Sequence, residues 1–146
     1  MTIRYDGEVA IVTGAGNGLG RSHAIQLAAR GAKVVVNDLG GTVDGSGGGS
    51  AASQAVVAEI EATGGEAMAH GANVADLEQV QDMVAKTMER WGRVDILINN
   101  AGILRDKSFG KGDLDDFKLV LDVHLMGSVN CTKAVWDITV SYTHLT

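Results

Sequence analysis

The chain has 146 residues, of which 45% are hydrophobic and 21% charged, with a formal net charge of -6 at pH 7. That length fits one ordinary domain, and an acidic balance with no Lys/Arg cluster argues against nucleic acid or an anionic membrane surface as the main partner. The single cysteine, Cys131, reads as a small core residue, and with no leader-like start or membrane-length apolar run the expectation is a cytoplasmic protein in a reducing compartment.

In chain order, residues 9–12 form an apolar run, predicted to be a buried strand, that leads into Thr13-Gly14-Ala15-Gly16-Asn17-Gly18-Leu19-Gly20. Glycine has no Cβ to collide with a ligand, and a helix start beyond it offers bare N–H groups and a favourable dipole to negative charge. Strand, glycine turn and helix start in that order point to the pyrophosphate of a dinucleotide. The spacing is T-G-x-x-x-G-x-G; the pattern G-x-G-x-x-G would need glycine or alanine at Leu19 or Arg21. A helix is predicted over 19–30. Residues 33–37 are a second buried strand ending at Asp38, eighteen residues beyond Gly20, where a ribose-binding carboxylate belongs. A carboxylate there accepts hydrogen bonds from both ribose hydroxyls, whereas a 2′-phosphate would meet like charge. No basic side chain offsets it, because Asn17 stands before the second motif glycine and Leu39 follows the aspartate. The expected cofactor is therefore NAD rather than NADP.

Residues 40–49 are Gly/Ser-rich and are expected to form an exposed loop beside the adenosine. Ser50 can cap a helix over 51–63, in which Ala52, Val56 and Ile60 share a face and Gly64-Gly65 closes the end. A short third strand follows at 66–69. Over 76–91, Leu77, Val80, Val84, Met88 and Trp91 form one stripe of a helix with Asp76 as N-cap and Gly92 beyond its end. Residues 94–98 are the fourth strand, and a last helix begins near Phe117 and continues through Val135 and Trp136. Helical crossovers join all these strands. The expected fold class is α/β, a Rossmann-type doubly wound parallel sheet of order 3-2-1-4 with ligand at the C-terminal strand ends.

The strings TGAGNGLG, VVVNDLGG and Asn99-Asn100-Ala101-Gly102 resemble the short-chain dehydrogenase/reductase family from about Asp6 to about Ile138. NDLGG, NNAGILRDKSF and VHLMGS are further similar to the (3R)-hydroxyacyl-CoA dehydrogenase unit of multifunctional β-oxidation enzymes. The resemblance implies that Thr13, Gly14, Gly16, Gly18, Leu19 and Gly20 form the pyrophosphate turn. It gives Asp38 to the ribose and Asn73-Val74 to the adenine. Here the family more often has Asp-Val, and an Asn carbonyl oxygen can also face the adenine amino group; a plain turn residue is the other reading. Asn100, Ala101 and Gly102 are expected to line the nicotinamide side, with Asn99 tying neighbouring strands. His124 stands where many members carry an Asn of the proton relay. It is taken as the candidate catalytic residue, with a hydrogen-bonded structural imidazole as the even alternative. Arg105 and Asp106 read as a surface ion pair, with substrate contact the other reading. The implied substrate is an acyl-CoA and the implied parent a homo-oligomer; no metal is expected.

The chemistry of the family also calls for a Tyr whose proton affinity is lowered by a Lys four residues later, beside a Ser. No Tyr-x-x-x-Lys occurs here: Tyr142 is followed at that spacing by Thr146, and Tyr5 by Val9. The expectation is thus an N-terminal fragment, an incomplete NAD-binding domain over 1–138 truncated before the fifth strand. Residues 139–146 are expected to be a non-native tail, since the string VSYTHL resembles a translated sequencing adapter. Apolar surface on the last helix, including Leu125, Val129 and Trp136, is then expected to lack cover. Two functions follow: the cofactor-binding part of an NAD-dependent oxidoreductase acting on a secondary alcohol or ketone, or a non-catalytic dinucleotide-binding module.

Overall fold

The computed structural model describes residues 2–40 and 50–143. Its parallel sheet has the order β3-β2-β1-β4, from β1 (Val9–Thr13), β2 (Lys33–Asn37), β3 (Ala67–His70) and β4 (Ile96–Ile98). The crossovers are α1 (Gly18–Ala29), α2 (Ala51–Ala62) and α3 (Leu77–Trp91). After β4 come a 3-10 turn (Phe109–Lys111), α4 (Leu114–Leu121), a π-helical segment (Asp122–Met126) and α5 (Gly127–Thr143). The expected α/β class and strand order are both present. The loop expected at 40–49 lies almost wholly outside the described residues, and the expected boundary at 138 falls within α5.

Strand alternation divides the core into two layers, since successive side chains leave opposite faces of a sheet. Ile11 and Val35 face α3 and α5, where they pack with Val80, Met83, Val84, Cys131 and Val135. Val12, Val34 and Val36 face α1 and α2, where they pack with Ala24, Ala28, Val56 and Ile60. Each fully buried Val or Ile contributes on the order of 1.5–3 kcal/mol. The small residues Gly20, Ala24 and Ala28 are the buried face of α1, which lets that helix lie close on β1. Cys131 is buried as expected, and burial pushes its thiol up to about 11, so it stays protonated and unreactive near neutrality.

Local signals fix most boundaries. Ser50 caps α2 by accepting from Ser53 N at 3.1 Å, and Asp76 caps α3 by accepting from Glu78 N at 3.0 Å. Gly92 ends α3 in the left-handed region at φ +72°. The buried positions differ from the expected stripes: Ser53 joins Val56 and Ile60 on α2, and Met83 and Thr87 join Val80 and Val84 on α3, while Leu77 is exposed. Thr87 tolerates burial because its hydroxyl donates to Met83 O at 2.7 Å. The last helix starts at Leu114 rather than near Phe117, with Asp113 capping it through Asp115 N at 2.8 Å. Leu125, Val129 and Trp136 are exposed, as expected for this face.

Asp82 on α3 accepts from Lys86 Nζ at 2.7 Å and lies 3.0 Å from His70 Nε2 at the end of β3. The hydrogen bond from Lys86 and then that from His70 hold its carboxyl below the ordinary value. A depressed folded pKa adds stability above the unfolded value of about 3.9, and that stability is lost as pH falls through the folded value. Asp82→Asn is therefore expected to lower stability at neutral pH by under about 1 kcal/mol, the pair being half exposed. The difference in Tm should close on acidification below the ordinary carboxylate range. Thermal melts across pH test this; a gap that persists in acid would assign the loss to packing.

Candidate nucleotide-binding site

The four strand ends Thr13, Asn37, His70 and Ile98 stand side by side, because β1 pairs in register with β2 and β4 and β2 with β3. The turn after β1 uses left-handed backbone at Gly14 (φ +62°) and Gly18 (φ +57°), a region that side chains other than glycine enter at a cost. A Cβ on Gly14 would lie 2.8 Å from Ala101 Cα, and one on Gly20 would collide with Gly14 O and Asn100 Nδ2. A Cβ on Gly18 meets nothing within 4 Å. Asn17 precedes α1 without capping it through its side chain. The first N–H groups of α1 are thus offered outward beside Gly18, an arrangement that suits an anion. Leu19 is exposed next to them.

Among the described residues, three donors hold Asp38. Gly16 N reaches Oδ2 at 3.0 Å, while Gly40 N at 2.8 Å and Ser50 Oγ at 3.1 Å reach Oδ1. A Cβ on Gly16 would sit 2.7 Å from the Asp38 carboxyl, so glycine there permits the approach. A carboxylate has about four acceptor sites, of which these donors take three.

Some residues serve differently from expectation. Thr13 is buried, and its hydroxyl donates to Ile98 O at 3.3 Å and accepts from Asn100 N and Ala101 N, each at 3.0 Å. It clasps the ends of β1 and β4 instead of facing a ligand. Asn100 donates through Nδ2 to Thr13 O and Gly14 O, each at 3.0 Å, which braces the turn from below. The strand-tying task expected of Asn99 thus belongs to Asn100, and Asn99 Nδ2 instead donates to Thr132 Oγ1 at 3.1 Å on α5. Asn73 Oδ1 accepts from Ala75 N at 3.0 Å, the turn geometry that was its other reading. Arg105 pairs with Asp116 at 3.4 Å rather than with Asp106, and Lys107 joins the same carboxylate at 3.1 Å.

A cleft of about 180 Å³ brings together Gly14, Asp38, Asn73, Val74, Ala101 and Gly102, with Asn37, Leu39, Ile103 and Val123 completing its walls. Thr13, Gly16, Gly18, Leu19, Gly20, Asn100 and His124 lie outside that lining and shape or flank it. Asn37 was missed by sequence reasoning, although one polar residue closing the run KVVVN was a readable signal.

His124 lies in the π-helical segment, a feature that often marks functional sites. Its ring packs on Gly102, where a Cβ would come within 2.7 Å of Cε1. Nε2 is 3.0 Å from Ile103 N and 2.9 Å from Ile103 O, so the imidazole pins the chain leaving β4. On its other side opens a mainly apolar pocket of about 520 Å³, lined by Ile103, Leu104, Phe109, Leu114, Phe117 and Val120 with Arg105 and Lys107 among its polar groups. Among the described residues no group of three His, Cys, Asp or Glu is placed to hold a metal, and no helix is long and apolar enough to cross a membrane.

A family model described as short chain dehydrogenase matches residues 8–142. The chain belongs to that family. It is 55% identical over 134 residues to the peroxisomal multifunctional enzyme type 2 of Drosophila melanogaster, covering 92% of this chain and 22% of that protein. It is 48% identical over 134 residues to the peroxisomal hydratase-dehydrogenase-epimerase of Saccharomyces cerevisiae, covering 92% and 15%. The crystal structure of a short chain dehydrogenase from Mycobacterium avium superposes with a TM-score of 0.82 at 47% identity, covering 89% of this chain and 46% of that one. The chain thus spans about a fifth of the length of these multifunctional relatives, and under half of the solved short chain dehydrogenase.

The expectation of a cytoplasmic protein is overturned here, because both relatives are peroxisomal by name. Composition and a lone cysteine report on solubility and redox environment, which do not separate one reducing compartment from another.

Proposed function

We propose that this chain is the cofactor-binding part of an NAD-dependent dehydrogenase that interconverts a 3-hydroxyacyl-CoA and its ketone in the peroxisome. The observation that carries the reading is the shared cleft: Gly14 of the left-handed turn, Asp38, Asn73, Val74, Ala101 and Gly102 meet around one space, and the start of α1, with no side-chain cap, flanks it. The residues suit an adenine dinucleotide, since the turn leaves room at Gly18 for a pyrophosphate and the Asp38 carboxylate lines the cleft where a ribose would be held.

When bound, the nicotinamide supplies the hydride acceptor. The chain's own residues orient it. Ala101 and Gly102 give a small-residue wall that would hold the nicotinamide half, and Thr13 and Asn100 brace that wall against the turn. His124 keeps the Gly102 and Ile103 backbone in place through Nε2, which leaves Nδ1 as the nitrogen for moving a proton. The 520 Å³ pocket beside it takes the acyl portion of the substrate, in keeping with its mainly apolar lining. The Ser and Tyr-x-x-x-Lys of the family do not occur in these 146 residues. A non-catalytic dinucleotide-binding module is the second reading, favoured by that one observation.

Calorimetric titration of the purified chain with NAD and with NADP tests the cofactor. NAD is expected to bind more than about tenfold tighter, or about 1.4 kcal/mol, because Asp38 repels a 2′-phosphate. Equal affinities, or tighter NADP, would refute the NAD assignment.

A further inference from the structure

Asn37 ends β2 with its side chain 1% exposed, one residue before Asp38. Its amide pairs in both directions with one backbone unit: Nδ2 donates to Ala72 O at 3.1 Å and Oδ1 accepts from Ala72 N at 2.8 Å. Ala72 N also donates to His70 Nδ1 at 3.0 Å, so that nitrogen carries its lone pair and the ring proton faces Asp82. Ala72 stands just before Asn73 and Val74, which form the wall of the cleft across from the turn.

We propose that Asn37 is a positioning residue for the cofactor, setting the adenine-side wall at Asn73 and Val74 against the ribose carboxylate at Asp38. The proposal rests on the NAD reading above. The strand pairing between β2 and β3 ends at the Asn37 and His70 pair, with Asp38 N donating to His70 O at 3.0 Å; beyond it the wall is held by Gln79 Oε1 on Asn73 N and by Asn130 Nδ2 on Val74 O, each at 2.9 Å, and Ala72, nearest the strand end, by Asn37. The side-chain amide continues the ladder by one step, giving Ala72 the donor and acceptor that a next strand residue would have given it. An apolar residue of similar size would leave the Ala72 carbonyl without the amide donor and the Ala72 N–H with His70 Nδ1 alone, and an unmade hydrogen bond in the interior is costly. Asp38, by contrast, has its own donors in Gly16, Gly40 and Ser50. The side-chain bonds on the two sides of the cleft are therefore separate, and the bond they share is the backbone one from Asp38 N to His70 O at 3.0 Å.

Titration of the purified chain and of its Asn37→Ala and Asn37→Ser variants with NAD and with NADP separates the two. Both variants are expected to lose about tenfold in affinity for NAD, and to lose the same factor for NADP. The preference between the nucleotides then stays as it is, because Asp38 keeps its contacts. NAD affinity within about twofold of the unaltered chain overturns the proposal. So does a collapse of the preference, which would show Asn37 acting through Asp38 or through the whole fold. If neither variant folds, amide hydrogen exchange at Ala72 in the unaltered chain decides: exchange slows on NAD binding, and an unchanged rate overturns the positioning role. Failure of the unaltered chain to bind NAD refutes the cofactor reading and this role together, whereas normal binding with unaffected variants refutes this role alone.

Discussion

Gly20→Val is expected to destabilise the chain by more than about 3 kcal/mol, and Gly18→Val by about 1–2 kcal/mol, although the two glycines are two residues apart in one motif. The difference lies in what a side chain meets. At position 20 a Cβ collides with Gly14 O and with Asn100 Nδ2. Those two atoms are themselves hydrogen-bonded, so neither can move without opening the clasp between β1 and β4. Backbone rather than a flexible side-chain end is in the way, and α1 would have to leave the sheet. At position 18 the space is open, and the cost is only the left-handed backbone at φ +57°. The functional ranking runs the other way for folded protein. Gly18→Val points its branched Cβ into the space where N–H groups of α1 face an anion, so it should fold and lose nucleotide. Thermal or urea unfolding followed by circular dichroism reads the first ranking, and titration of NAD reads the second. A folded Gly18→Val chain with unaltered affinity would remove the turn from the site.

The fold was legible because each strand and helix carries its own period. The run VAIVT can only be a buried strand next to a glycine turn, and Asp76 and Gly92 bracket α3 by cap chemistry that acts within a few residues. Element ends shifted by one or two residues where pairing across the sheet decides them, as for β4, which begins at Ile96 rather than at Val94. The positions of Asp38, Asn73, Val74, Ala101 and Gly102 around one cleft were also foreseen, since a parallel sheet gathers its loops at one end. Less legible was which polar atom each residue presents. Thr13 and Asn100 share a network across β1 and β4 that no local pattern specifies, and Asn73 turns its oxygen to Ala75. The π-helical segment over Asp122–Met126 was invisible too, because a helical period alone does not reveal a wider turn.

Asp38→Ala is expected to weaken NAD binding by about 1.5–3 kcal/mol, roughly 10- to 150-fold, the range for one lost hydrogen bond to a charged acceptor. NADP should be affected far less, because the substitution removes a repulsion together with the hydrogen bond, and the preference for NAD should shrink accordingly. Two further results separate charge from shape. Asp38→Asn keeps one acceptor oxygen at the same place but carries no charge, so it should retain part of the NAD affinity while losing most of the discrimination. In the unaltered chain, raising ionic strength should narrow the gap between NAD and NADP, since repulsion at a partly exposed carboxylate is screened by salt whereas a ribose hydrogen bond is little changed. An Asp38→Ala chain with an unchanged NAD to NADP ratio would mean that Asp38 only orders the turn, through Gly16, Gly40 and Ser50. The ribose assignment would then be lost while the architecture of the cleft stood. Calorimetry with both nucleotides at two salt concentrations distinguishes these outcomes, because a purely structural carboxylate predicts equal losses for both ligands and no salt dependence in their ratio.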